Sequence, residues 1–374
     1  MKRHSSPTRR RSACETHSCD RRPRGSAWAL SCTRTLRVCL LLALGGAVLD
    51  ACGGDGREAL IVYSPHGPDL LNDVEQRFEA AHPTIDLQWL DMGSQEVLDR
   101  IRSERANPQA DVWYGGPSQL FAAAADDGLL AAHRPEWAEL VAEHSDAEAR
   151  YLALYYTPLV IAYNSEAVDS ALAPRDWDDA LDPRWRGQVL IRDPLASGTM
   201  RSIFGMIVER SLRATGDTAQ GFDWLRRLDA QTREYVLNPT LLYQKLARQE
   251  GLITLWDMPD IEMLKATTGY PIDYNYARSG TPMVVDAVAV VANSPNSEAA
   301  RAFVEFIGSS EEVLFAAREH MRLPVREDIP VDSLPPALRR AREEIVEEPM
   351  DWRLLQERGS DWMRYWDERV RGRG

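Results

Sequence analysis

The stretch from Ile191 to Ser211, IRDPLASGTMRSIFGMIVERS, places three small residues, Ser197, Gly198 and Thr199, where an apolar run gives way to a helical pattern. The run is GQVLIRD, and Met200, Ile203, Phe204, Ile207 and Val208 mark the helix at spacings of three and four. The first amides of a helix have no intrahelical partner, and the helix dipole puts partial positive charge at the same spot. Small residues there leave the end open to an anion. An ordinary N-cap, with Ser197 closing its own helix, accounts for the same three residues. Arg192 or Arg201 would add charge to an anion site.

Other polar residues fall at the ends of apolar runs. Ser64 closes ALIVYS with His66 two residues on, Ser94 follows IDLQWLDM, and Gly115 and Gly116 close ADVWYGG. Hydroxyls and glycine amides are donors to an anion. His66 donates most strongly when protonated, so mild acid is expected to help binding; its other reading is a loop histidine capping the next helix. Trp256 offers a stacking face for an organic group, whereas Trp113, inside a strand, reads as core. Asp257 and Asp286 suit sugar hydroxyls or an amine, or make a structural hydrogen bond at a strand end.

The elements that position these residues alternate. ALIVYS, IDLQWLDM and ADVWYGG read as strands, each followed by a helical pattern, which predicts a parallel α/β sheet. In such sheets the ligand crevice lies at the carboxyl ends of the strands. Two long strand-like segments, Tyr151–Val168 and GTPMVVDAVAVVANSP, bracket a second α/β unit and read as crossings between two lobes. The chain ends in helices, with Trp352, Leu355, Trp362 and Tyr365 expected to pack against the first lobe.

Composition narrows the function. Residues 52–374 hold 34 Lys+Arg against 54 Asp+Glu, a balance that excludes a nucleic-acid-binding face. All five cysteines lie at or before Cys52, so the chain beyond it has no disulfide, thiolate metal site or cysteine nucleophile. The uncharged run VCLLLALGGAVL, preceded by Arg34 and Arg37, fits a signal-peptide core. It ends in LDAC, which resembles a bacterial lipoprotein signal: residues 1–51 would be removed and Cys52 lipidated. No G-x-S-x-G, H-E-x-x-H or phosphate-loop pattern is present, so nothing argues for an enzyme.

The ordered series LIVYSPHG, GSQEVLDRIRSERANPQADVWYGG, TPLVIAYNS, DPLASGT and GTPMVVDAVAVVANSPNSEAARAFVEFI resembles the extracellular solute-binding proteins of ABC importers, over nearly all of the chain after the signal. The similar branch groups ferric-ion, thiamine, 2-aminoethylphosphonate and sugar-phosphate binders. The resemblance implies a type 2 periplasmic-binding-protein fold, two α/β lobes joined by two crossover strands. Lobe one would combine 58–159 with 283–374, and lobe two would be 160–282. It implies an exported, lipid-anchored monomer that hands a small solute to a membrane permease and needs no cofactor or metal.

Ferric-binding members place adjacent tyrosines after a strand of the second lobe. The matching place here, GLITLWDMPDIEML, has Trp256 and Asp257 instead. Sugar-phosphate and phosphonate members present a Ser-Gly-Thr helix start to the anion, which ASGT matches. The resemblance therefore implies a phosphate ester or phosphonate held by Ser197, Gly198 and Thr199 against Ser64, His66, Ser94, Gly115 and Gly116. A thiamine-type solute stacked on Trp256 or Tyr114 is the second reading, a ferric-ion binder another, and an exported phosphate-ester hydrolase the reading from a different class.

Overall fold

The computed structural model describes residues 56–374. The signal segment 1–51 and Cys52 lie outside the described residues. Three strands, β1 (Glu58–Ser64), β2 (Ile85–Asp91) and β3 (Val112–Pro117), run parallel with β1 in the middle. Parallel neighbours need crossover connections, and helices provide them. α1 (Pro68–Ala81) buries Leu70, Leu71, Val74 and Phe78 as one stripe, and α2 (Ser94–Ser103) buries Val97, Leu98 and Ile101. α3 (Ser118–Asp126) follows β3, and the short β4 (Leu130–Ala131) comes next.

β5 (Leu152–Asn164) is the first long crossing. The second half then runs through β6 (Val189–Arg192), α4 (Gly198–Thr215), α5 (Ala219–Gln231), β7 (Thr232–Val236), α6 (Pro239–Ala247), β8 (Ile253–Asp257), α7 (Met258–Thr267) and β9 (Ile272–Asn275). β10 (Met283–Val291) returns to the first half, followed by α8 (Ser297–Ile307), α9 (Ser310–His320), β11 (Leu323–Pro324), α10 (Pro336–Glu344) and α11 (Trp352–Arg369).

Strand order is β2-β1-β3-β10-β5-β8-β6-β7. β5 joins the halves by changing partner along its length. Leu152 to Pro158 pair with β10, and Leu159 to Tyr163 pair with β8. Each half keeps its own core. Trp113 is fully buried and stacks on Phe121 at 3.9 Å in the first half. Ile203, Phe204, Leu225 and Leu255 form the second. The result is a two-lobed α/β body.

The carboxyl-terminal helix touches α3 of the first half, with Gln356 donating to Asp126 at 2.6 Å, but it buries its aromatic stripe in the other half. Leu355, Trp362, Met363 and Trp366 of α11 join the core built on α4 and α5, and Trp366 meets Phe204 edge-on at 5.4 Å. Tyr365 stays half-exposed against Phe222. Helical periodicity identifies a buried stripe but not which lobe covers it, so the stripe was legible and its neighbour was not. No helix of the described residues is long and apolar enough to cross a membrane.

Candidate functional site

The strand ends of both halves meet at one cavity of about 80 Å³. Pro65, His66, Ser94 and Gly116 line it from the first half, and Arg192, Ser197, Thr199, Trp256 and Asp257 from the second. Thr157 on β5 and Asp286 on β10 complete its floor, with Asp260 and Arg322 beside them. Asp286 sits at a register shift in β10, an irregularity that re-aims a side chain.

α4 begins at this cavity. Ser197 is its N-cap, and its hydroxyl accepts from the Met200 amide at 3.2 Å. The Arg201 amide donates to the Ser197 carbonyl at 3.0 Å. Among the described residues nothing accepts from the amides of Gly198 and Thr199. Capping and an open helix start thus coexist: Ser197 satisfies one orphan donor and leaves two. Gly198 itself does not line the cavity. A Cβ there would sit 2.4 Å from Ser94 Oγ and 2.9 Å from Pro117 Cδ. Its missing side chain lets the two lobes approach, and Gly93 does the same across the gap, where a Cβ would meet the Ala196 carbonyl oxygen at 2.4 Å.

Two guanidinium groups face the same space. Arg192 is 4% exposed; its Nη1 reaches the Val236 carbonyl only at 3.5 Å, and its Nε has no partner. Burial lowers its pKa, partly offset by Glu96 and Asp193. Arg322 is 7% exposed, touches Asp260 at 3.4 Å and also has an unpaired Nε. Burial opposes its charge, but Asp260, Asp257 and Asp286 outweigh it and raise its pKa. Buried donors without acceptors are uncommon, and two on one small cavity suit an anion with several oxygens.

The carboxyl groups are tied down. Asp257 is the N-cap of α7, accepting from the Asp260 amide at 3.1 Å, and burial and Asp260 raise its pKa well above the usual carboxylate value. Asp286 accepts from Thr157 Oγ1 at 2.9 Å; burial pushes its pKa up to about 6, with Arg322 and Thr157 pulling the other way. Both make the structural hydrogen bonds considered for them and still line the cavity. Trp256 lines it too, with Nε1 donating to Tyr243 Oη at 2.9 Å and to Asp260 at 3.2 Å.

Three first-lobe expectations change. His66 is almost fully buried, edge-on to Tyr114 with centroids 4.8 Å apart, and its Nε2 is unpaired. Burial, then Arg322 and His320, hold its pKa well below the usual value, so it is neutral and mild acid does not charge it. Nor does it cap α1, whose N-cap is Gly67 without a side-chain bond. Ser64 lies behind the cavity, its hydroxyl accepting from the His66 amide at 3.1 Å. Gly115 is also behind; with φ of 89°, its missing Cβ makes room for the His66 ring. Tyr114 is buried outside the cavity lining, and Arg201 turns away to Ser360.

Sequence reasoning missed Arg322, Asp260 and Thr157. Arg322 enters because Met321, with φ of 52°, ends α9 in a left-handed turn. Nothing in the local pattern signals that. Asp260 was visible as the second acid of DMPD, three residues after a cap.

Two α/β lobes whose strand ends face each other across a polar cavity define a periplasmic-binding-protein fold of type 2. The family model for bacterial extracellular solute-binding protein matches residues 107–345, and the chain belongs to that family. It is the solute-binding component of an ABC import system, with a small-molecule ligand and a membrane permease as partners. It is 27% identical over 337 residues to a Sinorhizobium fredii protein named Probable ABC transporter periplasmic-binding protein, covering 88% of this chain and 91% of that one. Iron uptake protein A1 of Synechocystis is 24% identical over 317 residues, covering 78% and 85%. The periplasmic binding protein AfuA from Actinobacillus pleuropneumoniae, solved with fructose-6-phosphate bound, aligns with a TM-score of 0.72 at 22% identity, covering 85% of this chain and all of that one.

Proposed function

We propose that the protein captures a small organic anion, a phosphate ester or phosphonate, between its lobes and releases it to the permease unchanged. The observation that supports this is the meeting of the open α4 start with the unpaired guanidinium donors of Arg192 and Arg322 on one cavity. The body carries a net −20 beyond residue 51, so the anion is held by short-range donors rather than drawn in by long-range charge. Inside a dry cleft such donors count for more than in bulk water. Closure uses β5, which pairs with strands of both lobes. Iron is disfavoured because no tyrosine lines this cavity, and among the described residues no group of three His, Cys, Asp or Glu is placed to hold a metal ion. Export as a lipoprotein anchored at Cys52 completes the reading.

The test is mass spectrometry of small molecules released from protein purified under native conditions. A phosphorus-containing organic anion near one equivalent is expected. A ferric ion or a purely cationic solute as the sole stoichiometric ligand contradicts the reading, and turnover of a bound ester would make the protein a hydrolase.

A further inference from the structure

Arg192 and Asp193 are neighbours in the chain, and among the described residues no ion pair joins them. The Asp193 carboxylate is almost fully buried and already occupied. Its Oδ1 accepts from the Leu195 amide at 2.9 Å, and its Oδ2 accepts from Arg371 Nη2 at 2.8 Å. Burial opposes the Arg192 charge, while Glu96 and then Asp193 support it, so Asp193 lies within electrostatic reach of Arg192 without bonding to it.

Asp193 also shapes the loop between β6 and α4. Its amide donates to the Val236 carbonyl at 2.9 Å, and its carbonyl accepts from the amides of Ala196 at 3.3 Å and Ser197 at 3.1 Å. With the Leu195 contact this is a turn closed by a side chain, and it delivers the chain to the open helix start. Arg371 reaches the loop from beyond α11, and its own place is fixed. Asp367 Oδ1 accepts from its Nη1 at 3.2 Å, and the guanidinium lies 5.0 Å from the Tyr235 ring and 5.4 Å from the Trp366 ring. A guanidinium held by rings and a carboxylate is a preset donor.

We propose that Arg371 is a positioning residue of the solute site: by holding the Asp193 carboxylate, it leaves Arg192 free for the anion. This rests on the anion reading above. Without Arg371, Asp193 would be a buried carboxylate with an oxygen unmet, and Arg192 is the cation beside it. Pairing the two would take a donor from the anion. Leaving them apart would put a bare negative charge beside the cavity, and either outcome weakens binding. An anchor that only pins the chain would lower stability whatever the charge on Asp193. A charge mask is relieved when Asp193 is neutralised.

Calorimetric titration with inorganic phosphate reads this coupling in a double-variant cycle, with thermal unfolding as the control for folding. Arg371→Gln is expected to weaken binding roughly tenfold, the scale of one uncompensated charge in a partly buried site. Asp193→Asn keeps an acceptor for the Leu195 amide and is expected to bind at least as tightly as the parent. The two together are expected to return affinity to within about threefold of the parent. Arg371→Gln binding as tightly as the parent, or the double variant binding no better than Arg371→Gln, overturns the proposal. So does a loss of about tenfold in Asp193→Asn, which checks the proposal even if Arg371→Gln does not fold. Each of these results leaves the anion site standing. A parent that binds no inorganic phosphate overturns the anion reading and this proposal with it.

Discussion

Two helices begin at the same cavity and are furnished in opposite ways. α2 starts beside Gly93, whose amide donates to the Glu96 carboxylate at 2.7 Å, so its first turn carries a negative charge of its own. α4 starts at Ser197, has no acidic residue in its first turn, and leaves the Gly198 and Thr199 amides without an acceptor among the described residues. The positive end of α2 is thus balanced from within the chain. The positive end of α4 is not, and it has Arg192 beside it on the same lining. On the anion reading proposed above, the α4 start and Arg192 would hold the solute from the second lobe and Arg322 would meet it from the first. The first lobe contributes shape, the Arg322 guanidinium, a neutral His66 and the titrating Asp286.

The strongest way to break this contrast is to give α4 what α2 has. Ser197→Asp keeps a good N-cap and puts a carboxylate at the cavity. A like charge about 4 Å from the anion at an effective dielectric of about 20 is worth about 4 kcal/mol, so affinity for phosphate or its esters is expected to fall roughly hundredfold or more with an unchanged melting temperature. Calorimetry with a thermal control checks it. Arg192→Gln removes one charge-assisted contact, worth about 1.5–3 kcal/mol, and is expected to weaken binding roughly 10- to 150-fold by the same titration.

The contrast was partly legible in the sequence. The strand–helix alternation, both crossings and the ASGT helix start are local patterns, set by apolar spacing and small residues, and each appears where those patterns place it. Arg322 and α11 were not legible in the same way. One reaches the cavity through a left-handed turn at Met321, the other buries its stripe against α4 across a long stretch of chain. Both depend on tertiary contacts that no local period encodes. Gly198 was legible as one of three small residues at the helix start, but the body that needs the space is the opposite lobe, which only the folded arrangement reveals.

A smaller effect sharpens the role of the first lobe. Asp286 has a pKa near 6 in the folded protein against 3.8 as a free carboxyl, so it repels an anion above pH 6 and not below. Asp257, shifted the same way, acts in the same direction, while burial holds the His66 pKa well below its usual value and opposes any charge there. Anion affinity is therefore expected to rise as pH falls from 7.5 to 5.5, by up to about tenfold for each unit by which the anion raises the Asp286 pKa. Asp286→Asn should flatten most of that profile. The ligand-free protein shows the linked effect: the raised pKa means that Asp286 favours folding below 3.8 and loses that contribution as pH rises through about 6, which unfolding titrations can follow. The smallest effect belongs to α2. Glu96→Gln is expected to change affinity by less than about threefold and to cost about 1 kcal/mol of stability, since it alters a cap and not the anion's partners.

The most direct measurement follows backbone amides by nitrogen–proton NMR while inorganic phosphate is added. Gly198 and Thr199 should move downfield in proportion to saturation, and by more than Ser94 and Gln95 at the start of α2. Saturable binding that shifts Ser94 and Gln95 while Gly198 and Thr199 stay fixed would contradict the assignment of the anion to the second-lobe helix.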